Sequence, residues 1–230
     1  MKILITGGGT EEPIDTVRSI CNFSTGRTAS FLAKFLSESG HSVTALMAER
    51  AIKPEQSKTL SVKTFKSFQN LSDSIENLCK TEQWDLIIHA AAVSDFSVGT
   101  IEMDGKLFHP GDFSKISSDS EPVIRLKKNP KIVDSIKNWC GNNAEKTTLI
   151  AFKLTSSATT EERKKAVDKV FDSTGRTVSS PDFVVSNDLS EINNNLHPCT
   201  IWHKNGNIVK RTQTLEELAD FLKQEVKDKL

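Results

Sequence analysis

The run from Trp84 to Val93, Trp-Asp-Leu-Ile-Ile-His-Ala-Ala-Ala-Val, constrains the fold more than any other feature. It carries apolar residues on both faces, so it belongs in the middle of a parallel sheet covered by helices on either side. Lys2-Ile3-Leu4-Ile5-Thr6 is a second short apolar run, and it ends in Gly7-Gly8-Gly9-Thr10, a buried strand entering a tight turn. Further strands are predicted at Ser42–Met47, Val62–Phe65, Thr148–Leu154 and Phe183–Val185, with Val123–Leu126 also strand-like. Helical spacing appears from about Thr25 to Ser39, stopped by Gly40, and over 67–81, where Leu71, Ile75, Leu78 and Cys79 recur. Pro130 opens a helix to about Trp139 with Asn129 as its N-cap, and Glu161 to Asp172 is helical. Strands and helices alternating at this pace imply an α/β fold, Rossmann-like and doubly wound, with a mainly parallel sheet.

Other stretches break the alternation. Residues 11–24 read as a loop. Residues 97–121 lack a period and read as either a functional flap or an extra β-arm, which in a dimer would be a dimer arm. Residues 173–181 read as a polar loop, and 97–120 and 173–180 are the stretches expected to move. Asn205-Gly206 between Cys199–His203 and Ile208–Thr212 is a C-terminal β-hairpin. Thr214 and Glu217 make a capping box for a last helix whose Leu215, Leu218, Phe221, Leu222 and Val226 face inward. Without a repeat or a linker, 1–230 reads as one domain.

Composition narrows the chemistry. The chain has 30 basic and 30 acidic residues, so it has no electrostatic footprint for nucleic acid. It has no run of 18 apolar residues for a membrane span, and no room ahead of the first strand for a signal peptide. Cys21, Cys79, Cys140 and Cys199 have no metal-ligand spacing and read as reduced thiols of a cytoplasmic protein. Tyrosine is absent, which excludes a phenol as acid or base.

Glycines 7–9 suit either close approach of a phosphate or a plain tight turn. The dinucleotide fingerprint fails because Glu12 stands where its third glycine belongs. Ser24, Thr25, Gly26 and Arg27 at the first helix start are either an N-cap or an anion site. His89 to Phe96 leaves the central strand next to the first strand, where sheet order reverses and ligands bind. There Asp95 either contacts a nucleoside or caps a turn, and His89 is more often a packed polar core residue than a catalyst. Lys115 in the flap is either solvated or functional. Lys153, ending a buried strand, suits a nucleotide contact.

Read together, these pieces resemble the phosphopantothenoylcysteine synthetase family, in a stand-alone form. The resemblance rests on Ile5–Thr10, Glu12–Arg18, Asn22–Gly26, Ala91–Phe96, Lys115-Ile116, Lys128–Val133, Phe152–Thr155 and Ser186–Asp188, which keep the family order. It implies a ligase that joins 4′-phosphopantothenate to L-cysteine at the expense of CTP, with ATP as the alternative, and with Mg²⁺ on the phosphates. The reaction passes through an acyl-nucleotidylate and releases nucleoside monophosphate and pyrophosphate. The resemblance further implies that Asn22, Lys115 and Arg18 are catalytic, with Arg18 reaching across a homodimer interface. Gly7, Gly8, Gly9, Thr10, Ser24, Gly26 and Arg27 would hold phosphates. His89, Ala90, Ala91, Asp95, Asn129, Phe152, Lys153 and Leu154 would complete the nucleotide site. Two departures bear on nucleotide choice: Ser117-Ser118 replace a lysine-rich stretch of many bacterial relatives, and Arg176 stands where relatives place lysines. The rival readings are a dinucleotide-dependent oxidoreductase, supported by Glu49 near the end of the second strand, and a non-catalytic nucleotide sensor.

Overall fold

The computed structural model describes residues 1–112, 115–117, 119, 121–172, 180–193 and 195–227, with side chains to residue 224. The first strand, β1 (Lys2–Gly7), is buried along almost its whole length. It pairs in parallel with β4 (Ser42–Ala48) on one side and β6 (Leu86–His89) on the other. Beyond β4 lies β5 (Leu60–Phe65), and beyond β6 lie β10 (Thr148–Thr155) and β11 (Phe183–Asp188), all parallel. The antiparallel pair β12 (Cys199–His203) and β13 (Ile208–Thr212) completes an eight-stranded sheet among the described residues. Its order is β13-β12-β11-β10-β6-β1-β4-β5. The chain therefore winds outward from β1 in both directions, and the switch lies between β1 and β6.

Helices cover both faces, and each buries its apolar stripe. Helix α1 (Arg27–Glu38) buries Ala29, Leu32, Ala33 and Leu36, and α2 (Phe68–Thr81) buries Phe68, Leu71, Ile75, Leu78 and Cys79. Ser67 caps α2 in a capping box with Asn70. Helix α3 (Val133–Trp139) lies against α2, α4 (Thr160–Phe171) against β10 and β11, and α5 (Leu215–Lys227) against α1. Leu218 and Leu222 of α5 are fully buried. The core of Ile3, Leu4, Ile5, Leu86, Ile87 and Ile88 has no measurable exposure, as expected for central parallel strands. No described helix is long and apolar enough to cross a membrane.

Several expected boundaries change. The central strand is shorter than the 84–93 run, because Ala90–Val93 leave the sheet to form a loop. Residues 11–24 contain a hairpin of β2 (Glu11–Pro13) and β3 (Ser19–Cys21). Of the two readings of the 97–121 segment, the β-arm is the one the structure shows. It supplies β7 (Phe96–Met103) and β8 (Lys106–Phe108), which join β9 (Val123–Lys128) in a separate antiparallel sheet, β8-β7-β9. Helix α1 starts at Arg27 rather than Thr25. Its N-cap is Gly26 at φ 71°, so neither Ser24 nor Thr25 caps it. Pro130 does not open α3, which begins at Val133 after Ile132, and Asn129 is not its cap. Glu217 accepts from the Gln213 amide rather than from Thr214, although Thr214 Oγ1 still accepts from Glu217 N. Residues 173–179, with Arg176, and the Val226 side chain lie outside the described part.

Candidate active site at the switch point

Where β1 and β6 end, their loops separate, and a bridge between Gly9 and Ala92 holds them together at the base. The glycine run allows close packing here. A Cβ on Gly7 would stand 2.2 Å from Ala29 Cβ, and one on Gly9 would stand 1.9 Å from the carbonyl oxygen of Asn22. Gly7, Gly8 and Gly9 thus let α1, the end of β4 and the β2–β3 hairpin close on β1. Thr10 is buried, and its Oγ1 accepts from Ser94 N at 3.0 Å. None of Gly7–Thr10 lines the neighbouring cleft.

That cleft has a volume of about 710 Å³. One wall is Phe23–Ala29 at the start of α1, the floor is Ala90–Ala92, and Phe152 and Leu154 of β10 lie beside it. The far wall is Asn187, Leu189, Ile192, Asn193, Asn195, His197 and the start of α5. Ser24, Gly26, Arg27, Ala90, Ala91, Phe152 and Leu154 are therefore brought together as the sequence suggested. The first turn of α1 has no acidic residue and no cap from the Gly26 side, and apart from a long 3.4 Å bond from Arg27 N to Thr25 Oγ1 its N–H groups, with the Arg27 charge, favour an anion.

Other expected site residues lie elsewhere. His89 is buried, 7% exposed, and its Nδ1 lies 2.9 Å from Thr6 Oγ1. Thr6 Oγ1 also accepts from Ala91 N at 3.3 Å, which ties the ring contact to the loop after β6. Burial pushes the His89 pKa down to about 4, so the ring is neutral at pH 7. It supports the cleft floor and does not line the cleft. Lys153 falls between Phe152 and Leu154, and strand alternation turns it to the opposite face, the side where Ala151 packs against Val167 of α4. Asp95 is exposed and ion-paired with Lys131. Asn129 is buried, donates to Ser94 O at 3.1 Å and accepts from Ser97 Oγ at 3.0 Å, which ties β9 to the loop after β6. His89, Lys153, Asp95 and Asn129 are thus structural or peripheral to this cleft.

The three expected catalytic residues sit on or beside the β2–β3 hairpin. Asn22 follows β3 directly and is exposed; its backbone N–H reaches Thr10 O at 3.2 Å and its Nδ2 reaches Val93 O at 3.2 Å. Arg18, in the hairpin turn, donates to Asp15 Oδ2 at 3.1 Å and to Ile116 O at 3.3 Å. Lys115 is exposed beside Ile116. Arg18 therefore contacts the flap of its own chain.

Sequence reasoning gave the far wall no role, although Asn187 and Asp188 belong to the Ser186–Asp188 string quoted above. Asn187 Nδ2 and His197 Nε2 are 3.1 Å apart, and burial, with a smaller effect from the Arg27 charge, pushes the His197 pKa down. Asp188 anchors this wall from below. Its fully buried carboxylate accepts from Thr155 Oγ1, Ser157 N, Ala158 N and Ser190 N and Oγ. Those bonds, from Ser190 first and Thr155 next, hold it well below the usual carboxylate range. The signal was available: an asparagine-rich stretch just past the carboxyl end of a parallel strand is where ligand contacts collect.

Comparison with known proteins agrees with this architecture. The Coenzyme A biosynthesis bifunctional protein CoaBC of Methanocaldococcus jannaschii is 32% identical over 136 residues, which is 59% of this chain and 30% of that protein. The chain thus spans much less than the whole of that relative. The crystal structure of the DNA/Pantothenate Metabolism Flavoprotein from Streptococcus pneumoniae superposes with a TM-score of 0.83 at 31% identity, covering 99% of both chains. A Cab2 variant in complex with phosphopantothenate-cysteine superposes with a TM-score of 0.75 at 19% identity, over 99% of this chain and 87% of that one. The model of the DNA/pantothenate metabolism flavoprotein C-terminal domain family matches residues 1–230, and the chain belongs to that family.

Proposed function

We propose that this chain is a phosphopantothenate–cysteine ligase. The observation that carries the reading is the open, uncapped N-terminus of α1 facing a cleft at the sheet's switch point, with Asn22 four residues ahead of Gly26. A nucleoside triphosphate would lie with its phosphates at Ser24–Thr28 and its nucleoside toward Phe152, Leu154 and the asparagine-rich wall. Family membership and the product complex of the Cab2 variant support the same assignment.

In this reading the carboxylate of 4′-phosphopantothenate attacks the α-phosphate and pyrophosphate leaves. The amine of L-cysteine then attacks the acyl carbon and nucleoside monophosphate leaves, carrying one oxygen of the original carboxylate. Lys115 neutralises charge developing on the transferring phosphate, and Asn22 donates to the acyl oxygen. Both jobs need preorganised donors and no phenol. Among described residues no cluster of three metal-ligating side chains occurs, and Glu216 is the one carboxylate on the cleft wall. That donor set suits a Mg²⁺ held mainly by phosphate oxygens and water, where it would withdraw charge from the triphosphate.

CTP is the favoured triphosphate and ATP the alternative. Homodimerisation is part of the proposal: Leu107 and Val123 both lie opposite Glu102 on one face of the β8-β7-β9 sheet and are each at least half exposed, an apolar patch a second copy would cover. Pyrophosphate release measured with CTP, ATP, GTP and UTP tests the reading. It should require phosphopantothenate with every active triphosphate. NADH binding without triphosphate turnover would instead support the oxidoreductase reading, against which the packing role of Gly7–Gly9 already weighs.

A further inference from the structure

We propose that Asp15 is a positioning residue that sets Lys115 for carboxylate activation, acting through the peptide group of Ile116. The inference rests on the ligase reading above. Asp15 sits in the β2–β3 turn with no side-chain exposure. Its Oδ1 accepts from Val17 N and Arg18 N, both at 2.8 Å, which is all a hairpin turn of this kind needs. Its Oδ2 serves a residue 101 positions away: it accepts from Ile116 N at 3.1 Å. The same oxygen takes Arg18 Nη1 at 3.1 Å, and that guanidinium nitrogen also reaches Ile116 O at 3.3 Å. Both polar groups of residue 116 are therefore held, one by the carboxylate and one by its ion-pair partner.

The Ile116 side chain is 4% exposed and packs with Val98 and Ile101, with Ile14 of the same turn against them. A buried side chain and a clamped backbone at 116 fix the point from which Lys115 leaves the surface. At its other end the hairpin delivers Asn22, one residue past β3. One rigid unit of about 10 Å of strand thus references both proposed catalytic groups to each other. The Ile116 N–H is also the largest influence holding the Asp15 carboxyl below its ordinary range, so the clamp stays charged at neutral pH.

The test is a double-mutant cycle on single-turnover pyrophosphate release with phosphopantothenate and CTP. Lys115→Gln is expected to slow release about 100-fold. Asp15→Asn is expected to slow it about 10- to 100-fold, with CTP affinity within about twofold of the parent. The double variant is expected to be no slower than Lys115→Gln within about twofold, because Asp15 acts only through that lysine. Additive losses, or an unchanged rate in Asp15→Asn, would overturn the proposal. Should Asp15→Asn not fold, the same cycle with Arg18→Gln decides: non-additivity supports the clamp, whereas additivity or a full rate refutes it. An undiminished rate in Lys115→Gln would instead remove the lysine role on which the proposal stands.

Discussion

The carbonyl oxygen of Asn22 occupies the space that a side chain at Gly9 would fill, 1.9 Å from the ideal Cβ position. With the Asn22 N–H on Thr10 O, this locks the residue after β3 onto the loop after β1. The glycine loop therefore places Asn22, whose Nδ2 donates to Val93 O.

Gly9→Ala tests that placement. The neighbour is backbone, which cannot swing aside as a side-chain tip would, so the hairpin must shift. Ligase activity is expected to fall at least tenfold and stability by about 1–3 kcal/mol. Steady-state rates and a urea midpoint check both. An active, fully stable alanine variant would show that the loop yields.

Asn22→Asp addresses the second half-reaction. A carboxylate in place of the amide removes the donor to the acyl oxygen and adds repulsion. The acyl-nucleotidylate is expected to persist about 100-fold longer and to be detectable by mass spectrometry of acid-quenched mixtures. Turnover at the parent rate would rule out the assigned contact.

His89 gives a pH signature independent of activity. Its pKa in the folded state is pushed down to about 4 by burial, against about 6.5 in the unfolded chain. The unfolded state therefore binds more protons between those values, and stability rises with pH across the window. The contribution is complete above pH 6.5 and is lost as pH falls toward 4, a change of order 3 kcal/mol. Urea unfolding from pH 4.5 to 7 should show this slope, and His89→Gln should flatten it by about one proton.

Asp188→Asn should loosen the far wall of the cleft. The substitution leaves one acceptor oxygen where two served Ser157, Ala158, Ser190 and Thr155, and it removes the charge facing Arg163 at 3.6 Å. The CTP KM is expected to rise about tenfold, with the phosphopantothenate KM much less affected. Equal effects on both would argue against a nucleotide role for this wall.

The sheet was legible because central parallel strands leave continuous apolar runs, and the C-terminal hairpin because Asn205-Gly206 permits few other turns. In the β8-β7-β9 sheet, β9 was legible as the Val123–Leu126 run, whereas β7 and β8 were not, since their burial does not alternate cleanly against a core. The site divided along a similar line. Ser24–Arg27 and Ala90-Ala91 follow from a rule about strand ends and helix starts. Lys153 misled because a motif string does not say which face of a strand a residue occupies, while His89 is the packed polar core residue its setting favoured. Asp15 drew no role of its own from the sequence, because its bond to Ile116 spans 101 positions.

The central claim, attack of the carboxylate on the α-phosphate, is tested most directly by isotope transfer. Phosphopantothenate carrying ¹⁸O in its carboxylate is converted with CTP and cysteine, and the products are analysed by mass spectrometry. One ¹⁸O is expected in the nucleoside monophosphate and none in pyrophosphate. Label in inorganic phosphate or pyrophosphate, or unlabelled monophosphate, would contradict the account.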